Sequence, residues 1–345
     1  MRHVPRAEKF PRWRSLWRRF PLPKAARGLL CAVLVGLTGC RKSPPPEPVI
    51  IGLAPSLTST LDIVAASQGF FAGEGLAVTI RELPSGKAAM EELFERNVDL
   101  ASSAGFPVVT NSFVRSDFLI FATVGSGVND NEIVARADAG IRTIRDLKGK
   151  RVGVMKGTMT QYVLDLLLLQ NGLTSKDVTV SFGSPDGLAA ALGAKDLDAV
   201  CVLGAAVDKA LAAAGTGATV FRDETLVRIT TCVTALRATI EQRPGMLAKV
   251  VRAYIRAERF VRENPDRALE IVAARFKRDA VAARSHWKPQ MFRVTLGQAL
   301  LIDLESLARW QIDSGLTGAR IPNYADFVHY TTLRQIDPER VSIVH

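Results

Sequence analysis

The sequence predicts an α/β protein of two doubly wound lobes joined by a hinge, with a helical C-terminal region. Three observations support this prediction. First, 48% of the 345 residues are hydrophobic and only 7% are aromatic, a composition that favours an α/β protein over an all-β one. Second, short apolar runs alternate with amphipathic runs from Pro48 onward, as in a parallel-rich sheet with helices on both faces. Third, this order of elements starts again near residue 150.

The first lobe is predicted from apolar runs of strand length and amphipathic runs of helix length. Strands are expected at Val49–Leu53, Ala77–Glu82, Val98–Ser102, Phe118–Val124 and Glu132–Arg136. Helices are expected at Leu61–Phe71, Lys87–Arg96 and Pro107–Arg115. The β-branched run Val227–Leu236 is expected to return the chain to this lobe.

The second lobe repeats the same alternation. Its strands are expected at Lys150–Val154, Val178–Phe182 and Asp198–Leu203, and its first helix at Gln161–Gln170. A second helix should begin at Ser184-Pro185, because Ser is a good N-cap and Pro suits the first helical position.

The two halves also share a local pattern of strand, Pro-x-Gly, helix, apolar-Asp and strand. It runs from Pro84 to Asp99 in one half and from Pro185 to Asp198 in the other. We interpret this as two similar lobes, the alternative being an accidental likeness between common βαβ units.

Helices are expected from Pro244 to the C-terminus, where they should support the first lobe. One opens at Pro244, another at Asn264-Pro265, and a third carries an apolar face formed by Phe292, Leu296, Leu300, Leu304 and Leu307. We therefore expect lobe one, with these helices, at residues 49–135 and 228–345, and lobe two at residues 136–227.

The N-terminus has the three parts of a secretory signal at residues 1–39: a basic region, an apolar run at Gly28–Leu37, and small residues. The apolar run is about half the ~20 residues that a membrane-spanning helix needs. It ends in Leu37-Thr38-Gly39-Cys40, which resembles the bacterial lipobox, so we expect Cys40 to be lipid-modified. A chance Cys after an ordinary signal peptide is the alternative, and the true start codon and the membrane that holds the anchor stay open. Residues 40–48, rich in Pro, are expected to form a stiff tether.

The net charge of +11 belongs mainly to this leader. Residues 1–39 hold nine of the 45 Lys and Arg and one of the 34 Asp and Glu, so 36 basic and 33 acidic residues, or +3, are left for the rest. Nucleic-acid binding requires a clustered basic surface. We therefore exclude DNA or RNA as a partner.

Catalytic motifs are sparse in the body of the chain. Cys201 and Cys232 lie in apolar, strand-like runs and are expected to be buried free thiols, although a disulfide is an open alternative. His286 and His329 fall in the helical C-terminal region, away from the expected cleft. No Cys/His spacing suits zinc, and no nucleophile elbow or Walker loop is present. We expect no metal and no cofactor.

Small and hydroxyl residues follow four of the predicted strands. In open α/β sheets, ligands bind beyond the carboxyl ends of the strands, where helix N-termini favour anions. Ordinary loop and helix-cap chemistry is the alternative for each segment alone. The candidate ligand-binding residues are Ser56, Thr58, Ser102, Ser103, Ala104, Thr158, Met159, Thr160, Leu203 and Gly204. No strand end shows an Arg or Asp clamp, so the charge of the ligand stays open.

Four stretches resemble a known family, the substrate-binding proteins of ABC importers for nitrate, taurine, alkanesulfonates and thiamine precursors. They are Gln68–Leu76, Gly86–Ser103, Asp146–Thr158 with the following Asn171-Gly172-Leu173, and Ala189–Val202. The stretch DLKGKRVGVMKGT is the most specific of them.

This resemblance implies a type II periplasmic binding fold, whose two lobes close on a solute by hinge motion. It implies a monomer that delivers a small molecule to an ABC permease, and, with the lipobox, an exported protein anchored to the cell membrane and facing the periplasm or the cell exterior. The family's ligand contacts fall on seven of the candidate residues: Ser56, Thr58, Ser103, Ala104, Thr158, Thr160 and Gly204. Where many members have a Trp followed by Asp-Pro, this chain has Leu203-Gly204-Ala205.

Two other functions stay open at this stage. One is a cofactor-free enzyme that acts on a small metabolite in the same cleft, since a fold does not fix a function. The other is a sensor that presents the bound solute to a membrane partner other than a permease.

Overall fold

The computed structural model describes residues 44–127, 131–223, 225–277, 280–284 and 287–344. From Pro46 onward these residues form one compact unit. The predicted signal peptide, Cys40 and His286 lie outside the described residues.

Ten strands form two five-stranded sheets. They are β1 (Glu47–Leu53), β2 (Leu76–Glu82), β3 (Leu100–Ala104), β4 (Phe118–Gly127), β5 (Asn131–Ala135), β6 (Arg151–Val154), β7 (Thr179–Phe182), β8 (Ala199–Leu203), β9 (Thr219–Phe221) and β10 (Ile229–Leu236). The first sheet has the order β2-β1-β3-β10-β4 and the second has the order β7-β6-β8-β5-β9. Each sheet is mixed, because β10 and β5 run antiparallel to their neighbours.

The helices between the strands are α1 (Thr60–Ser67), α2 (Phe70–Gly73), α3 (Gly86–Phe94), α4 (Gly105–Ser112), α5 (Met159–Gln170), α6 (Pro185–Gly193) and α7 (Ala205–Ala214). The C-terminal helices are α8 (Arg237–Gln242), α9 (Pro244–Glu263), α10 (Pro265–Arg275), α11 (Ala280–Ala283), α12 (Gln298–Asp313) and α13 (Thr331–Ile336). Within the part of the chain that the structure describes, no helix is both long and apolar enough to cross a membrane.

The central strands β5 and β8 of the second sheet are buried on both faces along most of their length, as expected for a doubly wound lobe. Successive residues of β5 alternate between two apolar clusters: Ile133 packs with α5, and Val134 packs with α6 and α7. The same alternation separates Cys201 from Val200 in β8. The sequence therefore lacks polar alternation in these strands because neither face meets water.

The first sheet shares its core with the C-terminal helices, which confirms that these helices support the first lobe. Val250 and Tyr254 of α9, and Leu304 of α12, belong to the same cluster as Ile51 of β1 and Val233 of β10.

The local pattern shared by the two halves has a structural basis. Asp99 and Asp198 stand just before β3 and β8, and each carboxylate accepts a backbone N–H bond from the neighbouring strand, from Ile50 at 2.7 Å and from Arg151 at 2.9 Å. Each also pairs with an Arg side chain, Arg243 in the first lobe and Arg151 in the second. The two aspartates therefore tie equivalent strands together, and the likeness is not accidental.

The helix caps are equivalent as well. Ser85 and Ser184 each accept a backbone N–H bond at 3.2 Å in the first turn of the helix that follows. Arg96 and Lys195, one residue past the C-caps of those helices, both adopt the left-handed conformation, with φ of 63° and 65°.

Three element boundaries differ from the prediction. The helix expected at Leu61–Phe71, with its end near Gly69, stops at Ser67, and Gly69, whose φ is +67°, precedes a separate short helix. The tether is shorter than expected, since β1 already begins at Glu47. Pro48 fits this strand because its segment pairs only with β2, and β3 joins from Ile51 onward. Finally, Phe292 and Leu296 precede α12, where the chain is extended and Thr295 bridges to β4.

The lobe boundary also differs. The sequence places 49–135 in lobe one, but β5 pairs with β8 and β9 in the second sheet. The chain therefore crosses to the second lobe between Gly127 and Asn131, and it returns between Phe221 and Ile229. The physical reason is that β5 is an apolar run like β4, and nothing in its residue types identifies the sheet that it joins. The return of Val227–Leu236 to the first lobe is confirmed by β10, which lies between β3 and β4.

Candidate functional site

Both sheets present one edge at which loops with polar residues gather. In the first sheet, the carboxyl ends of the parallel strands β1, β3 and β4 lie at the same edge as the amino end of the antiparallel β10. In the second, the carboxyl ends of β6, β7 and β8 lie with the amino end of β5. Because the two connections between the sheets start from these edges, we take them as the walls of the candidate cleft.

Ser56 and Thr58 follow β1 and are both half-buried. The Ser56 hydroxyl caps a short 3-10 helix by accepting a bond from the Thr58 backbone N–H at 3.3 Å, and the two hydroxyls lie 3.1 Å apart. A Cβ on Gly127 would lie 2.8 Å from the Thr58 methyl carbon. The loop after β1 therefore lies against the end of β4, where the chain leaves the first lobe.

Ser102, Ser103 and Ala104 end β3, but they face different surroundings. The buried Ser102 hydroxyl donates to a carboxylate oxygen of Asp62 at 3.0 Å. Ser103 lies on the other face, against the start of α3, while Ala104 is the extended N-cap of α4. The first backbone N–H groups of α4 have no partner within the helix and lie at the cleft edge.

Asp62 is a fully buried carboxyl group beneath this edge. The Tyr254 hydroxyl donates to its other oxygen at 2.6 Å. Desolvation raises the pKa of Asp62 to about 6, against the lowering effect of the bonds from Tyr254 and Ser102. The role of this residue could not be predicted from the sequence, because Asp62 occupies an ordinary first-turn position of a helix.

In the second lobe, Thr158 is the N-cap of α5 and Thr160 lies in its first turn. The Thr158 hydroxyl donates to the Met155 carbonyl at 2.8 Å and lies 2.7 Å from the Thr160 hydroxyl. Thr160 is fully buried, and its carbonyl accepts a bond from the Cys201 thiol at 3.3 Å. The half-buried Met159 begins α5, so its N–H faces the cleft edge.

Gly204 and Leu203 end β8. Leu203 is exposed, and Gly204 has φ of 58° and ψ of −135°, a conformation that side chains disfavour strongly. The structure thus places all ten predicted residues at strand ends of the two edges. The hydroxyls of Ser102 and Thr160 are already bonded inside their own lobes and hold the backbone of the site. Contact between any of the ten and a ligand stays a prediction.

The structure adds residues that the sequence reasoning missed, at the amino end of β10. Thr230 is half-buried and its hydroxyl donates to a carboxylate oxygen of Asp303, on α12, at 3.2 Å. Arg228 is exposed just before β10 and lowers the pKa of Asp303 electrostatically. The strand itself was expected, but its antiparallel direction, which brings its first residues to the cleft, was not.

Asp303 influences groups on both lobes. Desolvation raises its pKa, while Thr230 and Arg228 lower it. Its negative charge in turn adds to desolvation in raising the pKa of Tyr162 on α5, and in raising the pKa of Cys232 on β10 to about 12. The charge of Asp303 therefore acts on one group in each lobe, Tyr162 on α5 and Cys232 on β10.

The lobes touch beside this cluster. The Trp310 indole N–H of α12 donates to a carboxylate oxygen of Asp165 on α5 at 2.8 Å, and the Trp310 and Tyr162 rings pack edge to face, with centroids 5.3 Å apart. A Cβ on Gly157 would lie 3.5 Å from Leu316. A groove of about 490 Å³ opens beside this contact, with none of the ten predicted residues in its lining.

Among the described residues, Cys201 and Cys232 are buried free thiols, as expected. Burial is the main cause that raises the pKa of each thiol, so neither is available as a thiolate. His329 bonds to Thr332 and to the carbonyl of Ile120 near the start of β4, at the end of the sheet opposite the cleft.

The chain is similar in sequence to one protein family and to two provisionally named binding proteins. A model of the family described as "NMT1/THI5 like" matches residues 57–268. A protein of Bacillus subtilis (strain 168), named provisionally as an aliphatic sulfonates-binding protein, is 26% identical over 181 residues, which cover 50% of this chain and 54% of that protein. One of Escherichia coli (strain K12), named in the same way, is 23% identical over 193 residues, or 56% and 60% of the two chains. This chain thus spans little more than half the length of these relatives.

Solved structures share the fold over nearly their whole length. The periplasmic aliphatic sulphonate binding protein SsuA from Escherichia coli matches with a TM-score of 0.69 and 20% identity, over 83% of this chain and 98% of that one. The alkanesulfonate-binding protein SsuA from Xanthomonas axonopodis pv. citri, bound to MOPS, matches with a TM-score of 0.67 and 18% identity, over 84% of this chain and 100% of that one. The desulfurization enzyme DSZB matches with a TM-score of 0.65 and 15% identity, over 85% of this chain and 100% of that one. These similarities establish a two-lobed periplasmic binding protein fold.

Proposed function

The chain belongs to the NMT1/THI5-like family, and on this premise we propose that it is an exported receptor that captures a small organic anion of the sulfonate class and delivers it to an ABC importer. The observation that carries the proposal is the set of hydrogen-bond donors on the facing edges of the two lobes. The proposal includes a signal peptide at residues 1–39, a lipid anchor on Cys40, and a monomeric protein that faces the periplasm or the cell exterior.

The chemistry of the two edges suits a sulfonate. Three sulfonate oxygens share one negative charge and accept several hydrogen bonds. The free N–H groups at the starts of α4 and α5 provide such donors together with partial positive charge. The half-buried hydroxyls of Ser56 and Thr58 lie on the same edge as α4, and Arg228 adds a guanidinium at the hinge.

Differential scanning fluorimetry with alkanesulfonates, nitrate and neutral pyrimidines tests the proposal. A ligand at a hundredfold excess over its Kd stabilises the native state by about 2.7 kcal/mol, which is roughly 4 °C in Tm for a unit that runs from Pro46 to His345. We expect a shift of this kind with at least one alkanesulfonate. A flat response to every sulfonate would contradict the proposal.

Arg228 provides a sharper test of the ligand's charge. Arg228→Gln should weaken sulfonate binding about tenfold, because a charge-assisted hydrogen bond contributes about 1.5 kcal/mol or more. Arg96→Gln is the matched control, since Arg96 is also exposed but lies before β3, at the opposite end of the first sheet. Equal affinities for the two variants would argue against an anion site at the hinge.

A desulfurising enzyme is the second candidate, because DSZB shares this fold. An enzyme that uses a cysteine nucleophile needs a thiol that ionises near neutral pH and reaches the cleft. Cys201 and Cys232 are fully buried and do not meet this requirement. Release of sulfite or sulfate from a bound sulfonate by the purified protein would move the assignment to this candidate.

A further inference from the structure

We infer that the basic face of helix α9 is a docking surface for a bilayer that carries anionic headgroups, an inference that rests on the proposed function for its lipid anchor. This face would hold the anchored protein against the membrane while the cleft stays free to capture a solute. The residues that define the basic face are Lys249, Arg252, Arg256, Arg259 and Arg262.

The basic face carries mostly one sign of charge. Its five residues recur every three or four positions along α9, so each is a neighbour of the next on the helix surface. The four arginines are exposed and Lys249 is half-buried. Within α9, all of which the structure describes, Glu263 is the one exposed acid, because Glu258 is buried and pairs with Arg340 at 2.6 Å. The face is therefore not the mixture of charges that is usual on a solvated helix.

Two carboxylates from outside the helix fix the first half of this face in the fold. Glu74 pairs with Arg252 at 2.7 Å and with Arg256 at 3.8 Å, and Glu47 pairs with Lys249 at 3.1 Å. Glu47 begins β1, and Glu74 lies just before β2. The amino ends of these parallel strands lie at the end of the first sheet opposite the cleft. A surface that covers the basic face would thus leave the cleft uncovered.

The second half of the face has no such compensation. Phe260 packs edge to face against Phe70, which also precedes β2, so this half lies at the same end of the sheet. Arg259 and Arg262 are exposed and have no ion-pair partner among the described residues. Like charges three positions apart destabilise a helix, and an anionic surface would remove that repulsion. Guanidinium groups suit phospholipids in particular, because they bind phosphate oxygens through two parallel hydrogen bonds.

The proposed anchor would bring a membrane to this end of the fold. Glu47 follows Cys40 by seven positions, and a segment of that length spans at most about 25 Å. An acyl group on Cys40 would therefore keep the start of β1, and the basic face beside it, within this distance of the bilayer. Because a short tether raises the effective concentration of headgroups at the face, a weak attraction is sufficient for docking.

Vesicle flotation of residues 44–345 tests this surface without the anchor. The segment contains the whole compact unit from Pro46 onward, and it lacks both the lipid and the basic leader. We expect it to bind vesicles of equal parts phosphatidylglycerol and phosphatidylcholine at low salt, and to be released as the salt concentration rises. It should bind vesicles of phosphatidylcholine alone at least about tenfold more weakly. Equal binding to the two kinds of vesicle would refute the inference and leave an acidic protein as the partner of this face.

Paired substitutions distinguish the basic face from net charge. Arg259→Gln with Arg262→Gln should weaken binding to the anionic vesicles about thirtyfold, because each basic residue near such a surface contributes about fivefold. Arg259→Lys with Arg262→Lys keeps the charge and should restore most of the binding. Arg145→Gln with Lys176→Gln, an equal loss of charge at exposed positions of the second lobe, is the matched control and should bind as the wild type does. An equal loss in this control would show that the α9 face is not the docking surface.

A sulfonate titration of the same proteins separates this inference from the proposed function. The α9 variants should keep the wild-type Kd for the sulfonate, which also shows that they are folded. If the wild-type protein binds a sulfonate but not anionic vesicles, the docking surface is refuted and the receptor stands. If it binds the vesicles through α9 but no sulfonate, the docking surface stands and the receptor fails. If the double Gln variant does not fold, Arg259→Gln and Arg262→Gln alone, each with an expected loss of about fivefold, decide the question.

Discussion

Asp62 makes the stability of the first lobe dependent on pH in an unusual direction. It lies in α1 with no exposed surface, and burial raises its pKa from 3.8 to about 6. A carboxyl group whose pKa is higher in the folded state binds its proton more tightly there, so folding is favoured when it is protonated. Stability should therefore fall as the pH rises from about 4 to about 6, and the full penalty is present above pH 6.

The magnitude follows from the two pKa values. The rise from 3.8 to about 6, at 1.36 kcal/mol per unit, corresponds to about 3 kcal/mol in the free energy of unfolding. Asp62→Asn removes the ionisation and keeps an oxygen to accept the Tyr254 hydroxyl, while its amide can donate to Ser102. The difference in stability between the variant and the wild-type protein should thus change by about 2 kcal/mol, in favour of the variant, from pH 4 to pH 7.5, because the unfolded carboxyl group is already partly ionised at pH 4.

Urea unfolding followed by circular dichroism, at several pH values across this range, measures the difference directly. Groups that titrate in both proteins cancel when the two curves are subtracted. Asp313→Asn, at an exposed position at the end of α12, is the matched control. Its free energy of unfolding should depend on pH in the same way as that of the wild-type protein. A difference between Asp62→Asn and wild type that changes by less than about 1 kcal/mol would refute the reasoning, since one pKa unit corresponds to 1.36 kcal/mol.

Three further outcomes are expected. Trp310→Phe keeps an aromatic ring but removes the N–H that donates to Asp165 at 2.8 Å; the free energy of unfolding should fall by about 1.5 kcal/mol, and an unchanged Tm would show that this hydrogen bond between the lobes carries no stability. Ser184→Ala and Ser85→Ala each remove a helix N-cap, so each should cost about 1 kcal/mol in urea unfolding; a clear loss in only one would contradict the equivalence of the two lobes. Cys40→Ala should move the protein from the membrane fraction to the soluble fraction on ultracentrifugation, whereas retention would exclude a lipid anchor at this residue.

The lobes could be predicted from the sequence because their repeated features are local. A Ser N-cap, an amphipathic helix and an Asp before the next strand lie within a few residues of one another. Asp99 and Asp198 each stand just before a strand, and each carboxylate accepts a backbone N–H bond from the neighbouring strand in its own lobe. Such short-range rules survive in the sequence even when the identity between the halves is low.

The candidate site was predicted only in part, because half of it depends on strand direction and long-range packing. The rule that ligands lie beyond carboxyl ends finds the loops after β1, β3, β6 and β8. It overlooks Arg228 and Thr230, which reach the same edge from the amino end of β10. Asp303 comes from a helix far along the chain, and its residue type resembles any other acid on an amphipathic helix until α12 is packed against α4.

The position of β10 in the first sheet constrains the order in which the polypeptide can fold as it is synthesised. β10 lies between β3 and β4, yet the whole second sheet, from Asn131 to Phe221, is made before it. The second lobe can therefore complete its sheet from one continuous segment, while β3 and β4 keep unpaired edges until residue 236 has emerged. Such edges invite pairing with other chains, and a strand that joins so late slows folding. The first lobe is thus the part of this molecule that must be protected during synthesis.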